Sequence, residues 1–400
     1  MMLEPIRREW RALLKDPWLL ALVSYLPLLL ALGLWGLFSA AVPRELPVAL
    51  VDLDQTQLSR ALGRHIQASP ASLPLSYNSE ADAIDAMKRG KVFGMVIIPS
   101  QFSARLQSGK QPTLEIRYNG QFLLVGKLLN SNLQQSLAPA LQQLARTQLL
   151  AKGVPSVQVG VNVSPIQFQI TPLYNQASNY VAFLMPPLLI ALFQIVGMLI
   201  FVNALNRELD TSGYGNWLAN WGSNLTVKWL VYLPLALLQS AVMMVFLYGY
   251  QGMPINGGFG WLVLAQAVML SAVFLWVSTI FFLLQDKARV VSFCTALFAP
   301  AFAFMGATFP VHEMPELAKL WRILMPSSHY IESQIAVVSY GLGTLVGTGA
   351  DVLNELAGYW GFLLLFIPIG ALATLRKRQW QNNALVVTNT GSSKPSGEEA

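Results

Sequence analysis

The chain has 400 residues, of which 54% are hydrophobic and only 12% are charged. Soluble domains carry about 25% charged residues, so this composition excludes an ordinary soluble protein and indicates a membrane protein. The formal net charge is +6, although the distribution of charges along a membrane protein decides more than their sum. Cys294 is the single cysteine, which excludes an intrachain disulfide and a cysteine-based zinc site.

Residues 1–16 combine apolar residues at helical spacing with arginines on the other face. This pattern predicts an amphipathic helix that lies at the inner membrane surface, and a short basic anchor without a helix is the alternative. The residues that characterise this interfacial helix are Arg7, Arg8, Trp10 and Arg11.

Residues 17–41 are the first apolar segment, and a membrane-spanning helix needs about 20 such residues. Its end, Phe38 to Ala41, also fits the cleavage region of a secretory signal. The apolar run is longer than the roughly 7–15 residues of such a signal, so a retained first transmembrane helix is predicted.

Residues 180–379 contain the remaining spans. The predicted spans are Tyr180–Val202, Val227–Tyr250, Trp261–Leu284, Val290–Phe309 and Leu356–Leu375. The basic residues gather at the N-terminus, in the cytoplasmic loop 203–226, in the QDKAR loop and after the last span. Positive residues favour the cytoplasmic side, so both termini are predicted to be cytoplasmic. The predicted fold class is therefore a membrane protein with six transmembrane α-helices and an extracytoplasmic α/β (α+β) domain.

The extracytoplasmic domain is predicted to comprise residues 42–179. Apolar, β-branched runs at Leu46–Asp54 and Val92–Pro99 predict buried strands, and residues 157–170 predict a later strand. Helical periodicity is found over residues 56–69 and over the long stretch Phe122–Lys152. Alternating strands and helices are typical of an α/β or α+β domain.

No metal site is predicted. Asp52 and Asp54 form a D-x-D sequence at the end of the first strand, where turn and helix-cap chemistry is the stronger reading. The three histidines, His65, His312 and His329, are far apart in the sequence.

The sequence also argues against an enzyme. It contains no P-loop, no G-x-S-x-G nucleophile elbow and no H-E-x-x-H motif. The span interiors contain Gln194, Gln239 and Gln266 but no ionisable residue at mid-membrane, whereas ion-coupled carriers usually need such groups. If the protein moves a substrate, the energy is therefore expected to come from another chain.

The stretch NRELDTSGYGNWLANW, Asn206 to Trp221, interrupts the apolar spans with charged and aromatic residues. It is either a solvated loop or a contact surface for a partner. Glu208 and Asp210 are candidates for ion pairs with a partner, and Trp217 is a candidate for an interface anchor or a membrane-interface aromatic. The candidate residues of the loop are Arg207, Glu208, Asp210, Thr211, Gly213, Trp217 and Leu218.

The outer segment, residues 310–355, precedes the last span. His329 and Glu332 are three residues apart and would share one helical face. Together with Glu313 and Tyr330 they are candidates for the outer exit of a substrate path, and a structural ion pair is the alternative. Residues 380–400 are polar and are predicted to form a disordered cytoplasmic tail.

Four segments, in this order, resemble the integral-membrane permeases of ABC-2 type exporters that have a large outer domain between the first two spans. The segments are PVALVDLDQT, AIDAMKRGKVFGMVIIPSQFSARLQSG, RELDTSGYGNWLANWGSNLTVKWLVYLP and MGATFPVHEMPELAKLWRILMPSSHYIES. The resemblance implies a six-span subunit that pairs with a second permease subunit, identical or different. Each subunit would contact a cytoplasmic ABC ATPase through its N-terminal helix and the loop 203–226.

The resemblance also implies that ATP and Mg bind to the partner ATPase and that this chain binds no cofactor. The protein would reside in the inner (plasma) membrane, with residues 42–179 in the periplasm or outside the cell. It would export a substrate such as an amphipathic drug or a lipid-like molecule, with a periplasmic adaptor protein as a further partner and no nucleic acid. The alternative is a non-transporting receptor or scaffold whose outer domain binds a ligand or an envelope protein.

Overall fold

The structure is a computed structural model that divides into two compact units. The described residues are 3–39, 45–108, 110, 112–119, 123–153, 155, 179–211, 213–307, 309–341 and 356–391. Residues 1–39 and 177–400 belong to one unit, here called the helical unit. Residues 40–176 belong to the other, the sheet unit.

The chain enters the helical unit through an amphipathic helix and a bent apolar pair. These helices are α1 (Leu3–Lys15), α2 (Pro17–Val23) and α3 (Leu26–Phe38). The Asp16 carboxylate accepts the backbone N–H of Leu19 at 3.0 Å and caps α2. The axes of α2 and α3 differ by 47°. Pro27 explains the break, since proline lacks an N–H and clashes with the carbonyl four residues earlier. The predicted first span is therefore two helices.

The sheet unit is built on a four-stranded sheet with the spatial order β2-β1-β3-β4. Its elements are β1 (Leu46–Asp52), α4 (Gln57–Gln67), β2 (Ser72–Tyr77), α5 (Glu80–Lys88), β3 (Gly94–Ile98), α6 (Phe102–Gln107), β4 (Glu115–Tyr118) and α7 (Leu123–Ala151). Strand β1 pairs in parallel with β2 and β3, whereas β4 is antiparallel to β3. This is the mixed α/β type that the sequence predicted.

Alternate residues of β1 enter the two cores of this unit, as the two-residue period of a strand requires. Val48 packs with Leu62 of α4 and Leu133 of α7 on one face. Ala49 packs with Ala83 of α5 on the other face. The long helix α7 thus covers the same face as α4, and the cores lie on both sides of the sheet.

Strand β2 was not predicted from the sequence. It is short, and Pro74 in its middle argues against a strand except at a sheet edge, which is where β2 lies. The strand predicted at residues 157–170 lies outside the described residues.

Asp52 and Asp54 are engaged by hydrogen-bond donors at the end of β1. Asp52 accepts the N–H of Gln55 at 2.9 Å and the hydroxyl of Ser59 at 2.7 Å. Asp54 accepts the N–H of Ser103 at 3.2 Å, the Ser103 hydroxyl at 2.6 Å and the Thr56 hydroxyl at 2.7 Å. Asp54 therefore caps a helix, but this helix is α6 and not the one that directly follows β1. The helix after β1, α4, is capped by Thr56.

The chain returns to the helical unit after the sheet unit. The further helices are α8 (Tyr180–Asn206), α9 (Tyr214–Ala219), α10 (Trp221–Met244), α11 (Phe259–Leu284), α12 (Lys287–Phe298), α13 (Ala301–Phe304), α14 (Glu316–Leu324), α15 (Pro326–Val338), α16 (Trp360–Leu363) and α17 (Phe366–Gly391). Short 3-10 helices are Arg207–Asp210, Val311–Glu313 and Leu356–Tyr359, and a π-helical turn, Val245–Tyr250, follows α10.

Among the described residues, five helical segments are long and apolar enough to cross a membrane. They are Val181–Asp210, Trp221–Tyr250, Phe259–Leu284, Lys287–Phe304 and Leu356–Asn383. The bent pair α2 and α3 brings the number to six if it counts as one span. The protein is thus a helical membrane-type protein with five to six apolar spans and a small sheet.

Helix α15 lies inside the bundle, although it belongs to the predicted outer segment. It packs against α8 and α11. Gln194 of α8 accepts the backbone N–H of Ser327 at 2.8 Å, which fastens the start of α15 to the second span. Gln239 likewise donates to the carbonyl of Leu22 in α2 at 2.8 Å, so these two glutamines link helices in the span interiors.

Helix α17 continues well beyond the last predicted span. Residues 380–391, which the sequence placed in a disordered tail, are helical. The reason lies in packing, since Trp380 and the basic residues before it contact other helices. The remainder of the predicted tail lies outside the described residues.

We predict that Asp54→Ala weakens the sheet unit by about 1 kcal/mol, because it removes the acceptor for two hydroxyls and a helix-terminal N–H. Hydrogen exchange of the α6 amides in the full-length chain measures this loss. Asp85→Ala is the control, since Asp85 makes an exposed ion pair with Arg89 on α5. Equal exchange in both variants would contradict the capping role.

Candidate functional site

A lysine is completely buried where α1, α10 and the 3-10 helix Arg207–Asp210 meet. Lys228 of α10 is 0% exposed. Its Nζ donates to Glu208 Oε1 at 2.8 Å, to the carbonyl of Ala204 at 2.8 Å, and to both carboxylate oxygens of Glu9 at 3.1 and 3.2 Å. Its three N–H donors thus face two carboxylates and one helix-terminal carbonyl.

Two arginines and a tyrosine complete this arrangement. Arg8 Nη2 donates to Glu208 Oε1 at 2.9 Å and to Glu9 Oε1 at 3.0 Å. Arg207 Nη2 donates to Glu9 Oε2 at 2.6 Å, and the Tyr232 hydroxyl donates to the same oxygen at 3.1 Å. The name "ion cluster" is used below for these residues: Arg8, Glu9, Arg207, Glu208, Lys228 and Tyr232.

Burial of charge is costly unless the charges are paired and hydrogen-bonded. Glu9 and Glu208 are only 1% and 2% exposed, and each contacts the Lys228 ammonium and at least one guanidinium. Burial raises the pKa of Glu9, but the charges of Lys228, Arg207 and Arg8 outweigh this effect and hold the pKa below its usual value. The Glu9 carboxylate is therefore ionised at neutral pH.

The ion cluster joins segments that are remote in sequence, since Glu9 and Lys228 are 219 residues apart. It fixes α1 on the 3-10 helix after α8 and on the beginning of α10. A displacement of α1 or of the 3-10 helix must move the others or break buried ion pairs. The ion cluster is thus a buried structural link between the three segments.

The structure corrects the expected role of the Glu208 side chain. Glu208 is buried in the ion cluster, so its carboxylate is not available for an ion pair with a partner surface. Asp210 is exposed and pairs with Lys287 at the start of α12. Thr211 is exposed and donates to the carbonyl of Arg207 at 3.2 Å. Arg207 itself is half buried beside Glu9.

The aromatic part of the predicted loop is also buried. Trp217 of α9 packs against Phe281 and Phe282 of α11, with ring centroids 6.1 and 6.2 Å away. It is therefore a core residue of the helical unit, neither an exposed interface anchor nor a membrane-interface aromatic. Leu218 is buried beside it, and Gly213 precedes α9 at its N-cap position.

The predicted interfacial helix is α1, and its residues divide among three surfaces. Glu9 and Leu13 are buried against the bundle. Trp10 is exposed, together with the other apolar residues Leu3 and Leu14. Arg7, Arg8 and Arg11 form a basic surface, on which Arg7 pairs with Glu4. An apolar stripe beside a basic one suits a membrane surface.

The candidates for the outer exit are not brought together as one cluster. Glu332 pairs with Arg322 of α14 and not with His329. His329 packs against Tyr359 and Phe362, with ring centroids 5.4 and 5.6 Å away. Tyr330 is completely buried, whereas Glu313 is exposed beside His312.

Sequence reasoning missed the pairing of Glu9, Lys228 and Tyr232. A signal was present: Glu9 is a carboxylate between arginines on a helix, and Lys228 lies within an otherwise uncharged helix. A charge within a spanning segment usually marks a partner inside the bundle. The partner's identity required the tertiary structure.

Comparisons with known proteins identify the class of protein. The family profile described as "ABC-2 family transporter protein" matches residues 17–376. The chain therefore belongs to the ABC-2 family of transporter proteins, and the resemblance noted in the sequence is confirmed. It is a membrane permease of the ABC transporter class.

Two curated relatives agree with this assignment. The chain is 22% identical over 343 residues to ABC transporter G family member 20 of Dictyostelium discoideum. This alignment covers 82% of this chain and 45% of that protein. It is 28% identical over 110 residues to the linearmycin resistance permease protein LnrN of Bacillus subtilis (strain 168). That alignment covers 28% of each chain. The matched region thus spans less than half the length of these relatives. No solved structure matches the chain significantly.

We predict that Lys228→Met destabilises the protein by about 3–5 kcal/mol, because it leaves two buried carboxylates without their shared cation. Thermal unfolding of the protein in detergent measures the effect. Lys287→Met is the matched control: it breaks the exposed pair with Asp210 and should cost less than about 1 kcal/mol. Similar losses in the two variants would argue against the ion cluster.

The lowered pKa of Glu9 predicts a specific pH dependence. An ionised carboxylate with a lowered folded-state pKa contributes stability above its ordinary value of 4.5, and this contribution is lost as the pH falls through the lower folded-state pKa. The wild type should therefore be more stable than Glu9→Gln at neutral pH, with a gap that closes below about pH 4.5. The control is Glu4→Gln, an exposed change on the same helix, which should be about as stable as the wild type at neutral pH.

Proposed function

We propose that this chain is the transmembrane permease subunit of an ATP-driven ABC-2 exporter. A cytoplasmic ABC ATPase would bind ATP and Mg and supply the energy, while this chain binds no cofactor. The observation that carries the proposal is the ion cluster, which ties α1 and the segment after α8 to the spanning helix α10. Such a link passes movement from the cytoplasmic face into the spans.

Contacts among the basic segments support the proposed orientation. Arg8 contacts Glu208, Lys287 contacts Asp210, and Lys377 donates to the carbonyl of Ala219. The basic segments of the chain therefore meet at one end of the helical unit, and positive residues favour the cytoplasm. We place both termini and this end in the cytoplasm, the spans in the inner (plasma) membrane, and residues 42–179 in the periplasm or outside the cell.

The ATPase would contact the exposed side chains of the coupling segment, defined here as residues 207–220. The exposed members among its described residues are Asp210, Thr211, Asn216, Ala219 and Asn220, whereas Trp217 and Leu218 anchor the segment to the bundle. The basic surface of α1, with Arg7 and Arg11, provides a second contact. Glu208 and Arg207 would act indirectly, by fixing the segment to α1.

The proposed substrate is an amphipathic drug or a lipid-like molecule that leaves the cytoplasm or the inner membrane. The B. subtilis relative is named for linearmycin resistance, which supports the export of a drug as the proposed activity. A second permease subunit, identical or different, would complete the transporter, and a periplasmic adaptor would be a further partner. The proposed residues of an outer exit path are Glu313 and Glu332, which are exposed, with His329, which is partly buried, and Tyr330, which is buried.

The test is reconstitution of the chain with its co-purifying ABC ATPase in lipid vesicles. Export of a fluorescent amphipathic dye should require ATP, both subunits and an ATPase with an intact nucleotide site. A chain that binds dye or envelope protein but associates with no ATPase would be a receptor or scaffold, and the proposal would be wrong.

We predict that exchange of the two charges in the Asp210–Lys287 pair weakens the ATPase contact. Asp210→Lys with Lys287→Asp keeps the pair within the chain but reverses the charges that it presents. Association with the ATPase, measured by co-purification at fixed salt, should fall about tenfold, equivalent to about 1.4 kcal/mol. The control is the same exchange in the exposed Glu316–Lys319 pair of α14, which should leave association unchanged.

A further inference from the structure

The part of α17 beyond the last predicted span contacts the coupling segment directly. Lys377 Nζ donates to the carbonyl of Ala219, the last residue of α9, at 3.0 Å. One helical turn later, the Trp380 indole lies against Gly215 of α9. A Cβ atom at position 215 would overlap the six-membered ring of this indole, so only glycine permits this contact without a shift.

The same part of α17 also caps α11. Arg376 Nε donates to the carbonyl of Phe282 at 3.0 Å, and its Nη2 donates to the carbonyl of Leu283 at 2.6 Å. The last carbonyls of a helix lack partners within the helix and carry partial negative charge. Arg376 and Lys377 therefore cap the C-termini of α11 and α9 with adjacent cations.

Helix α9 depends on such contacts for its position. It has only six residues, and an isolated helix of this length is not stable in water. Its other anchors are Trp217, which packs on Phe281 and Phe282, and Tyr214, whose hydroxyl accepts from Gln285 at 2.7 Å. These anchors join α9 to α11, whereas Lys377 and Trp380 are what join it to α17.

The last span is largely exposed within the helical unit and packs mainly against α11. The segment Leu356–Asn383 is among the least buried of the candidate spans, whereas Val181–Asp210 is mostly buried. A peripheral helix follows a moving element only where contacts fasten it. The contacts of α17 with α9 and with the end of α11 lie together at one end of the helix.

We infer that Arg376, Lys377 and Trp380 are positioning residues that fasten the last span to the coupling segment. This inference rests on the proposed function. When the ATPase displaces α9, the displacement is passed to α17 through Trp380 and Lys377, in addition to its passage to α10 through the ion cluster. The coupling segment thus drives two spans, one through buried ion pairs and one through an indole seated on a glycine.

The test combines Gly215→Ala and Trp380→Ala in the full chain, co-expressed with its ABC ATPase. Gly215→Ala should lower the ATP turnover of the complex at least fivefold, because the new methyl group displaces the indole. The double variant should have the turnover of Trp380→Ala alone, because the methyl group then has nothing to displace. Gly222→Ala is the control, since no atom lies near a Cβ at that position, and it should match the wild type.

A second measurement tests the position of α9 independently of ATP turnover. In Trp380→Ala, the amides of α9 should exchange hydrogen at least tenfold faster, while co-purification with the ATPase and the thermal midpoint stay near the wild type. Trp380→Phe should restore part of the protection. Trp360→Ala, which removes an exposed tryptophan from α16, should change none of these values.

The proposed function and the role of Trp380 are tested by different outcomes. If no ABC ATPase associates with the wild-type chain, the proposed function is wrong. If the ATPase associates but Gly215→Ala behaves as Gly222→Ala, or α9 exchange in Trp380→Ala stays within twofold of the wild type, the inference is overturned and the proposed function stands.

Discussion

The arrangement of the helical unit depends on one buried cation, Lys228. An ammonium group without water needs anionic or carbonyl partners for its three N–H donors, and α10 has no carboxylate to offer. The partners come from Glu9 of α1 and Glu208 of the 3-10 helix. These carboxylates in turn need the guanidinium groups of Arg8 and Arg207. Pairing of charge thus forces three remote segments to meet at one point.

Because of this constraint, some residues of the coupling segment fix its position in the bundle, and others remain available to contact a partner. Glu208, Trp217 and Leu218 are enclosed, so they determine where the segment lies. Asp210 and Asn216 are exposed, so they can contact a partner. A partner that pushes on the exposed side chains acts on a segment with little freedom to deform. Under the proposed function, such stiffness is what the transfer of movement from a partner to the spans requires.

Proline and glycine set the local geometry around this site for steric reasons. Pro27 separates α2 from α3, and Pro300 separates α12 from α13, because neither residue can continue the hydrogen-bond pattern of a helix. Gly215 acts in the opposite way, since the missing side chain permits the indole of Trp380 to approach the α9 backbone. The apolar pattern of the sequence predicted the spans correctly in outline, but these single residues decide where they bend and touch.

The sequence by itself determined the properties that depend on composition and local order. The apolar runs identified the spans, the apolar, β-branched run Leu46–Asp54 predicted β1, and the order of the motifs identified the family. Only the tertiary structure decided which charges are buried and which helices touch. Glu208 reads as a surface charge in sequence, yet its partners are α1 and Lys228. Residues 380–391 read as a tail, yet they continue helix α17, and Trp380 packs on α9. Contacts between residues some 200 positions apart leave no periodic trace in the chain, because they arise from packing and not from local propensity.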